Sequence, residues 1–530
     1  MSPPGRPPAA PLTRGRMTGR APASAVRAAP GVAVAWLDPL FRELEGLRSD
    51  IAGFVGLAPR GPVAHALRLA SASEFDEVYG PAVDGFFLAH AVHGFFDNGG
   101  DTCWVVRAVD RRTAAAATVA VGSDPVLHCV AHSPGRWGNG MSVEVLPSGR
   151  GRVTVTVVAP DGRSEQWRDL DGQGLLARFG VSPTSDRTSA LVRMEFPEGT
   201  AVPRSAARGV FSGGDDGLTA LTPGHLVGDD RIRPAGRNGA ALLDDIDEIT
   251  MIAVPDLVLS RGGSGFDPEG IADAQAYLAG DCHALRRTAL LQHADPDALV
   301  DEVVRWREGL NSAFAALYWP WLRIADPARP SRLLAVPPTG HAAGVVARSD
   351  RSAGPHKPPA GEELTGALGI TRRVDDEDHG RANSAGVNAI RPLAGRGLRL
   401  LGCRTTSNET QWRYLNVRRL VTHIERSIAS YAAWVVFEPD GEGLREDLER
   451  VVRQYLDDLW RGGVLDGDTA EEAYAVVVED ARMAEAAGRL VVEIGVRPPW
   501  PAEYVMLRID VTEIGSGGGA RGGEDRGGDG

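Results

Sequence analysis

Apolar and polar positions in the first part of the chain alternate between strand-like and helix-like patterns. Residues 51–57 form a continuous apolar run that predicts a buried strand, and residues 83–97 place phenylalanine and small apolar residues at helical spacing. Residues 102–108 predict another strand after the turn-forming Asn98-Gly-Gly. Ser73 is a candidate N-cap for a short helix between the first two elements. This opening is typical of an α/β unit.

The pattern changes in residues 125–205. Residues 141–145 and 152–158 alternate apolar and polar side chains with a period of two, which indicates strands with one buried face. Pro160-Asp-Gly162 predicts the turn that follows them. We therefore predict a small β-rich insertion in an otherwise α/β chain.

Strands and helices alternate again after residue 206. Short apolar runs predict strands at 249–254, 288–291, 315–319 and 398–403, and helical periodicity predicts helices at 267–282 and 296–312. This alternation favours a largely parallel sheet. In the C-terminal part the same criteria predict helices at 415–431 and 442–461, and strands at 434–438, 473–478, 490–496 and 504–511. The expected fold class is mixed α/β (α+β) and multidomain.

Length and charge exclude some classes of protein. A chain of 530 residues is long enough for several domains, and its net charge of −13 argues against a general nucleic-acid binder. No apolar run approaches 18 residues, so we expect no membrane-spanning segment and no direct membrane insertion. Residues 1–29 contain five arginines and no acid, and they lack the apolar stretch of a signal peptide. We expect a disordered basic extension there, with a basic docking tail as the alternative.

The cysteines, histidines and acids suggest no active site. Cys103, Cys129, Cys282 and Cys403 are far apart, which predicts buried free thiols and a reducing, cytoplasmic environment. No P-loop, zinc-protease, nucleophile-elbow or dinucleotide-binding motif occurs in the chain.

Two acidic segments and four histidines are better explained by structure than by chemistry. Residues 375–379 (Asp-Asp-Glu-Asp-His) predict a solvated loop, and residues 212–217 predict a tight turn rather than a cation loop. The histidines without partners at ligand spacing are His128, His132, His341 and His356. We therefore predict no catalytic residue, no metal and no cofactor.

Several segments resemble, in order, those of one protein family. They are Ile51-Ala-Gly-Phe-Val-Gly-Leu-Ala-Pro-Arg-Gly-Pro62, Ala91-Val-His-Gly-Phe-Phe-Asp-Asn-Gly-Gly100, Ser133-Pro-Gly-Arg-Trp-Gly-Asn139, Leu317-Tyr-Trp-Pro-Trp-Leu322, Val336-Pro-Pro-Thr-Gly-His-Ala-Ala-Gly344, Trp412-Arg-Tyr-Leu-Asn-Val-Arg-Arg419 and Gly488-Arg-Leu-Val-Val-Glu-Ile-Gly495. Over about residues 30–513 the chain resembles the contractile tail sheath family of phage tails, related bacteriocins and contractile injection systems.

The resemblance implies a structural polymer rather than an enzyme. Sheath subunits surround an inner tube, contract to drive it through a target envelope, and contact baseplate and terminal cap proteins. The implied partners are therefore further copies of this chain, the tube protein and those end components, with no nucleic acid. Assembly is expected in the cytoplasm, within a phage tail-like particle or virion. The resemblance does not distinguish between a phage tail, a bacteriocin and an injection system. The alternatives to a sheath subunit are a hydrolytic α/β enzyme and another tail or baseplate component.

The resemblance also implies a domain organisation. The expected parts are a disordered basic extension (1–29), an N-terminal linking arm (30–50), the first α/β part of the sheath core (51–124), an outward β-rich insertion (125–205), an α/β central domain (206–392), a C-terminal sheath domain with its arm (393–513) and a disordered Gly-rich tail (514–530).

Two sets of residues are candidates for contacts between subunits. Both terminal arms are expected to add a strand to a neighbour's sheet, which gives the C-terminal α/β domain its full set of strands. The arm residues are Val32, Val34, Trp36, Tyr504, Met506, Arg508 and Asp510. The candidate tube-facing residues are Arg413, Arg418, Arg419 and Arg426, with ion pairs within or between sheath subunits as the alternative.

Overall fold

The computed structural model describes most of the chain from residue 44 onwards. The chain divides into two units, residues 1–43 and 44–530. The described residues all lie in the second unit and are 44–123, 126–149, 151–180, 188–195, 202–228, 237–258, 265–435, 442–480, 489–499 and 505–512. The strand predicted near residues 31–36 lies outside them.

A nine-stranded sheet forms the centre of this unit. Its strands, in spatial order, are β16 (Glu362–Glu363), β19 (Gly397–Leu400), β18 (Val387–Leu393), β13 (Ala315–Trp319), β12 (Thr288–Gln292), β11 (Met251–Ala253), β1 (Ala52–Gly56), β3 (Cys103–Arg107) and β2 (Ala66–Leu69). The six strands from β18 to β3 are parallel, and the outer ones are antiparallel. The predicted parallel sheet is confirmed.

Apolar side chains on both faces hold this sheet in the interior. Along β1, Phe54 belongs to one apolar core and Val55 to the other, and both are fully buried. Burial on two faces explains why these strands read as continuous apolar runs instead of alternating ones. The helices of this region are α1 (Ala72–Tyr79), α2 (Leu88–Asp97), α4 (Pro223–Val227), α5 (Pro268–Ala284), α6 (Val300–Glu308), α7 (Thr339–Ala353) and α8 (Asp376–Ser384).

Two glycines let α7 lie very close to α2. A Cβ atom at Gly340 would stand 2.3 Å from the Cα of Ala91, and one at Gly344 would stand 2.4 Å from the carbonyl oxygen of Phe95. Either substitution would push the helices apart. A separate, smaller sheet flanks this region and contains β14 (Leu322–Ala325), β15 (Leu333–Val336) and β17 (Gly369–Ile370).

The start of α1 differs from the sequence prediction. Ser71, and not Ser73, is the N-cap: its backbone is extended and its side chain accepts a hydrogen bond from the amide of Glu74. Ser73 lies inside the first turn, where its hydroxyl cannot cap the helix.

The β-rich insertion contains two small sheets and one helix. One sheet has the order β10 (Ala207–Val210), β6 (Ser142–Gly149), β7 (Arg152–Val158) and β8 (Ser164–Leu170), and the other has β4 (Thr118–Val121), β5 (Leu127–Ala131) and β9 (Val192–Glu195). Helix α3 (Gly172–Phe179) packs beside them in a separate apolar core. A bridge between Ala115 and Asp215 closes the base of the insertion, so it extends beyond the predicted 125–205 at both ends.

One buried arginine ties the insertion to the central sheet. Arg107, at the end of β3, is 1% exposed. Its guanidinium donates to the carbonyl oxygens of Ala58, Pro59 and Gly61 beside β1, and to that of Pro134 at the edge of the insertion. Burial lowers the pKa of Arg107 to about 10, because the charged form loses hydration that the four carbonyls only partly replace.

The C-terminal domain is built from helices α9 (Leu415–Val435), α10 (Glu442–Arg461) and α11 (Ala470–Ala473) and the sheet β20 (Tyr474–Asp480), β21 (Arg489–Val496) and β22 (Val505–Thr512). The predicted boundary at residue 393 needs correction, because β19 pairs with β18 and so belongs to the central sheet. The strand predicted from Trp434 is also wrong at its start, because Trp434 and Val435 continue α9.

Among the described residues, no helix is long and apolar enough to cross a membrane.

Candidate assembly surfaces of the C-terminal domain

Strand β22 occupies one edge of the C-terminal sheet. It runs antiparallel to β21 over eight residue pairs, from Arg489↔Thr512 to Val496↔Val505. Strand β20 pairs with the other side of β21 over seven pairs. The sheet therefore has β20 and β22 as its two edges, each with one row of backbone groups facing away from β21.

The sequence of β22 has the same alternating pattern as the strand it pairs with. Val505, Leu507, Ile509 and Val511 alternate with more polar residues and therefore share one face of the strand. The first three oppose Val496, Ile494 and Val492 of β21, which are all fully buried. The ladder thus matches apolar with apolar positions along its length.

The predicted arm residues fall partly within this strand. Met506, Arg508 and Asp510 lie in β22, whereas Tyr504 and the N-terminal set Val32, Val34 and Trp36 lie outside the described residues. In the structure β22 pairs with β21 of its own chain, as the third strand of its own sheet. Its pairing with another subunit stays a prediction.

Arg419 makes a buried ion pair with the central domain. Its Nη1 and Nη2 atoms lie 2.9 and 2.8 Å from the two carboxylate oxygens of Asp350 on α7. Nη2 also donates to the carbonyl oxygen of Ser49, 2.6 Å away. Burial raises the pKa of Asp350 above its ordinary value, although Arg419 opposes that shift. Arg419 thus joins three segments of its own chain.

Arg418 lies between two aromatic rings. Its guanidinium carbon is 4.2 Å from the ring centre of Trp412 and 4.6 Å from that of Phe314, just before β13. Nη2 lies 3.4 Å from Glu425, one of whose oxygens accepts from Arg286 beyond α5. Burial lowers the pKa of Arg418 to about 10. Cation–π contacts are strongest when the cation has lost its water, as this one has.

The other two candidate arginines differ from each other in exposure. Arg426 is partly buried and donates to the carbonyl oxygen of Ile249 in the central domain. Arg413 is exposed and follows the short 3₁₀ helix Thr410–Trp412. Arg418 and Arg419 therefore contact groups of their own chain, which agrees with the alternative prediction of ion pairs within a subunit. Arg413 remains the candidate for a contact with another protein.

The segment before β1 is fixed between the two domains. The amide of Leu47 donates to the hydroxyl of Ser427 on α9, and the hydroxyl of Thr250 donates to the carbonyl oxygen of Ser49. Leu44 packs against the core of the C-terminal domain. Residues 44–50, the last of the predicted linking arm, thus lie against the C-terminal domain and lead from there into β1.

The comparisons with known proteins point to one family. Residues 284–406 match the model of the phage tail sheath protein central domain, and residues 407–512 match that of the phage tail sheath C-terminal domain. Residues 284–512, somewhat less than half of the chain, are thus similar to the phage tail sheath family in sequence.

A curated sheath relative supports this assignment. The putative prophage major tail sheath protein of Pseudomonas aeruginosa (strain UCBPP-PA14) is 26% identical over 265 residues. The alignment covers 49% of this chain and 66% of that protein, just under two thirds of its length.

Solved sheath structures share the fold over a larger part of the chain. A tail sheath protein from Listeria innocua has a TM-score of 0.62 at 14% identity, over 89% of this chain and 96% of that one. The sheath complex of an extracellular contractile injection system, PVC, in its contracted state, has a TM-score of 0.52 at 20% identity, over 91% and 98%. The mixed α/β multidomain fold predicted from the sequence is thus the sheath fold.

The border between the two matched sheath domains agrees with the structure. It falls between residues 406 and 407, in the connection from β19 to α9. Thr406 donates to the carbonyl oxygen of Ser312, and its own carbonyl accepts from Arg307, so this border is itself packed on the central sheath domain.

The remaining candidate groups of the chain have structural roles. Asp375 caps α8 by accepting from the amide of Asp378, so residues 375–379 begin a helix and are not the predicted loop. Asp215 accepts from the amide of Gly217 in the predicted tight turn. The four cysteines are buried free thiols, as predicted. Within the described residues, no group of three or more His, Cys, Asp or Glu side chains is placed to hold a metal ion.

Proposed function

We propose that this protein is the sheath subunit of a contractile tail or injection machine. It polymerises around an inner tube and contracts to drive the tube through a target envelope. The match of residues 284–512 to both sheath domain models carries this proposal. The relative in Pseudomonas aeruginosa and the injection-system sheath in its contracted state support it. The proposed partners are copies of this chain, the tube protein, the baseplate and a terminal cap.

The proposed role is structural and not catalytic. Polymerisation and contraction need surfaces that can pair in two arrangements, and the energy for contraction is stored in the extended polymer. No nucleotide site is required for that. We propose that assembly takes place in the cytoplasm, within a phage tail-like particle or virion. The proposed subunit neither binds nucleic acid nor inserts into a membrane.

Neighbouring subunits are proposed to be joined by strand addition. Strand β22 supplies Met506, Arg508 and Asp510, and the N-terminal arm supplies the segment around Val32, Val34 and Trp36. The fixed course of residues 44–50 supports an arm that starts beside the C-terminal domain. Subunits linked in this head-to-tail way form open helical filaments when the rotation does not close a ring.

The tube is proposed to contact the surface around Arg413. This residue is the exposed member of the arginine set, so its charge is available to an acidic group on another protein. Arg418 and Arg419 support the same surface from inside, because they fix α9 to the central domain.

Electron microscopy of the protein co-expressed with its tube subunit tests the function. Negative stain of the full chain is expected to show striated hollow cylinders, and a variant lacking residues 1–36 is expected to lose them. Cylinders from both proteins would support the sheath function and contradict the proposed role of the N-terminal arm. Monodisperse monomers under all conditions would contradict the sheath function and favour the alternative of an α/β enzyme, whose active site would then have to be sought.

A further inference from the structure

The strand order of the central sheet produces a crevice at the carboxyl end of β1. From β1 the chain passes to β3 on one side, and it later continues through β11, β12 and β13 on the other side. The helices that follow lie on opposite faces, because α2 packs in the apolar core of Phe54 and α5 packs in the apolar core of Val55. In an open α/β sheet, the crevice between two strands at such a reversal is where ligands usually bind. Here it lies beyond the ends of β1 and β11.

The side chain of Asp256 fills this crevice. Asp256 follows the last residue of β11 by three positions and is 0% exposed. Its Oδ2 atom accepts hydrogen bonds from the amides of Leu57, 2.7 Å away, and Leu88, 3.1 Å away. Its Oδ1 atom accepts from the amide of Phe87 at 2.6 Å. Three backbone donors, from the end of β1 and the start of α2, thus converge on one carboxylate.

This arrangement has the features of an anion-binding site. The first amides of a helix have no partner within the helix, and the helix dipole favours negative charge beside them. Helix N-termini bind phosphate and carboxylate ligands for this reason. Phe87 is the N-cap residue of α2 and has no side chain that could cap the helix, so Asp256 supplies the acceptor instead. The amide of Leu57 adds a donor that does not belong to the helix.

We propose that Asp256 is a built-in ligand, whose carboxylate occupies an anion-binding site at the reversal of strand order and closes that site to ions from solution. The chemical class that the site takes in the absence of this side chain is a small carboxylate, because three amide donors surround the positions of two oxygen atoms. This role belongs to the free subunit and does not depend on whether the subunit polymerises. It lets a sheet order that is suited to ligand binding serve a structural protein.

Gly56 is matched to the carboxylate. A Cβ atom at Gly56 would stand 2.3 Å from Oδ2 of Asp256 and 2.8 Å from Cβ of Leu88. The carboxylate therefore reaches the amide of Leu57 only because residue 56 has no side chain. Any side chain at this position would compete with a ligand for the same space.

The surroundings exclude water from the carboxylate. Leu57 and Leu257 are 2% and 1% exposed and belong to one apolar core, and Leu88, which is fully buried, belongs to the other. Burial raises the pKa of Asp256 to about 7, although the three amide donors oppose that rise. Removal of the side chain would leave the three donors with little access to water, which is unfavourable for each of them. A small anion that enters the empty space would restore their hydrogen bonds.

Chemical rescue with formate tests this role. Asp256→Gly removes the carboxylate and is expected to lower the thermal unfolding midpoint of the full chain. Formate carries the same group and fits the space that the side chain leaves. At pH 7.5, sodium formate is expected to raise the midpoint of the variant by about 2–4 °C more than sodium chloride at the same concentration. The difference should grow with the logarithm of the formate concentration, as for binding to one site of the folded chain.

Three controls distinguish a specific site from a general effect of the salt. The wild type should respond equally to formate and chloride, because its site is occupied. Asp267→Gly should also respond equally, because it removes an exposed carboxylate that accepts from Gly270 at the start of α5, where water can replace it. Asp256→Asn keeps the shape of the side chain but places an amide donor among donors. It should lower the midpoint and show no effect of formate, because the space is full.

Gly56→Ala tests where the formate binds. Combined with Asp256→Gly, the added methyl group takes up the space of the missing carboxylate and should abolish the effect of formate. The same change should lower the midpoint more in the wild type than in Asp256→Gly, because only the wild type has the Oδ2 atom that the methyl group would meet.

Refolding extends the test to a variant that does not fold in chloride. Asp256→Gly is then diluted from urea into formate or chloride, and soluble yield and circular dichroism are compared. Recovery in formate alone supports the built-in ligand. Equal results in both salts, an equal formate effect in the presence of Gly56→Ala, or Asp256→Asn as stable as the wild type would overturn it. None of these results concerns polymer formation, so the sheath function is tested separately.

Discussion

The guanidinium of Arg419 and the carboxylate of Asp350 form two hydrogen bonds, of 2.9 and 2.8 Å, across the border between the central and C-terminal domains. Their side chains are 5% and 1% exposed. Charges removed from water are costly unless they are paired, so each residue is tolerated there only because of the other. This pair makes the relative position of α7 and α9 specific.

Arg419→Met is expected to lower the free energy of unfolding by about 3–5 kcal/mol, because it leaves Asp350 buried without its counter-charge. The loss should be larger at pH 8 than at pH 5. The pKa of Asp350 is already raised by burial, and without Arg419 it rises further. A carboxyl group whose pKa is higher in the folded than in the unfolded state favours folding at low pH and loses that effect as the pH rises through the folded pKa.

Urea unfolding at the two pH values measures this effect. Arg450→Met removes an exposed arginine that pairs with Asp447, and it should change the midpoint little at either pH. Arg419→Met combined with Asp350→Leu should recover most of the loss. A single variant as stable as the wild type would show that the pair does not hold the domains together.

Arg413→Glu should weaken binding to the tube without changing the stability of the subunit. Arg413 is exposed, and reversing its charge replaces attraction to an acidic surface by repulsion. The matched change inside the protein is Arg418→Met. It should lower the stability of the subunit, because it removes a guanidinium held between Trp412 and Phe314. Co-sedimentation with tubes at two salt concentrations, together with thermal unfolding, separates the two effects. Equal tube binding by Arg413→Glu and wild type would rule out Arg413 as a contact.

Arg107→Met should loosen the insertion from the central sheet. It removes the donor from four carbonyl oxygens, of which those of Ala58 and Gly61 are buried, and each buried carbonyl left without a donor costs about 1–3 kcal/mol. We expect a fall in the unfolding midpoint and faster proteolysis at the base of the insertion. The comparison is Arg152→Met, which removes an exposed arginine paired with Asp169 inside the insertion. Proteolysis at the same rate in both variants would argue against a tethering role for Arg107.

Acid should destabilise the protein through its buried histidines. Burial lowers the pKa of His341 and of His90 to about 4. Between pH 6.5 and 4 the unfolded chain therefore binds protons that the folded chain does not, so stability falls as the pH falls, by up to about 1.4 kcal/mol per pH unit for each such group. Urea titrations from pH 7.5 to 4.5 measure the slope. His341→Gln should flatten it and the exposed His65→Gln should not; equal slopes would exclude His341 as the source.

The central sheet could be predicted from the sequence because its strands are buried on both faces. Residues 315–319 and 288–291 read as short apolar runs between helices, and both are strands in the structure. Helix α10 was equally clear, with predicted bounds that equal the observed Glu442–Arg461. Its apolar positions recur at helical spacing, a signal that needs no knowledge of distant contacts.

Where the prediction was wrong, distant packing decided the outcome. Residues from Trp434 onwards have the β-branched and aromatic composition of a strand, yet α9 continues through Val435. Tyr431 and Ile428, about one and two turns earlier, are buried in the core of the C-terminal domain and fix the helix there. Tertiary packing of this kind overrides the weak preference of a few residues for a strand.

The partners of the arginines could not be read from spacing. Asp350 precedes Arg419 by 69 residues, and Phe314 belongs to a different domain from Arg418. A sequence shows that cations cluster on one helix, but it does not show which of them meet an acid or an aromatic ring after folding. The prediction therefore treated as one surface a set of residues that the fold divides into buried and exposed.

The base of the β-rich insertion has a use in protein engineering. Ala115 and Asp215 exchange two backbone hydrogen bonds, of 3.0 and 2.8 Å, so the chain leaves the core and returns to it at adjacent points. Among the described residues between them, none belongs to a strand of the nine-stranded sheet. A foreign domain whose ends lie equally close together can therefore be grafted at this position, and every copy in a polymer would then display it at regular intervals.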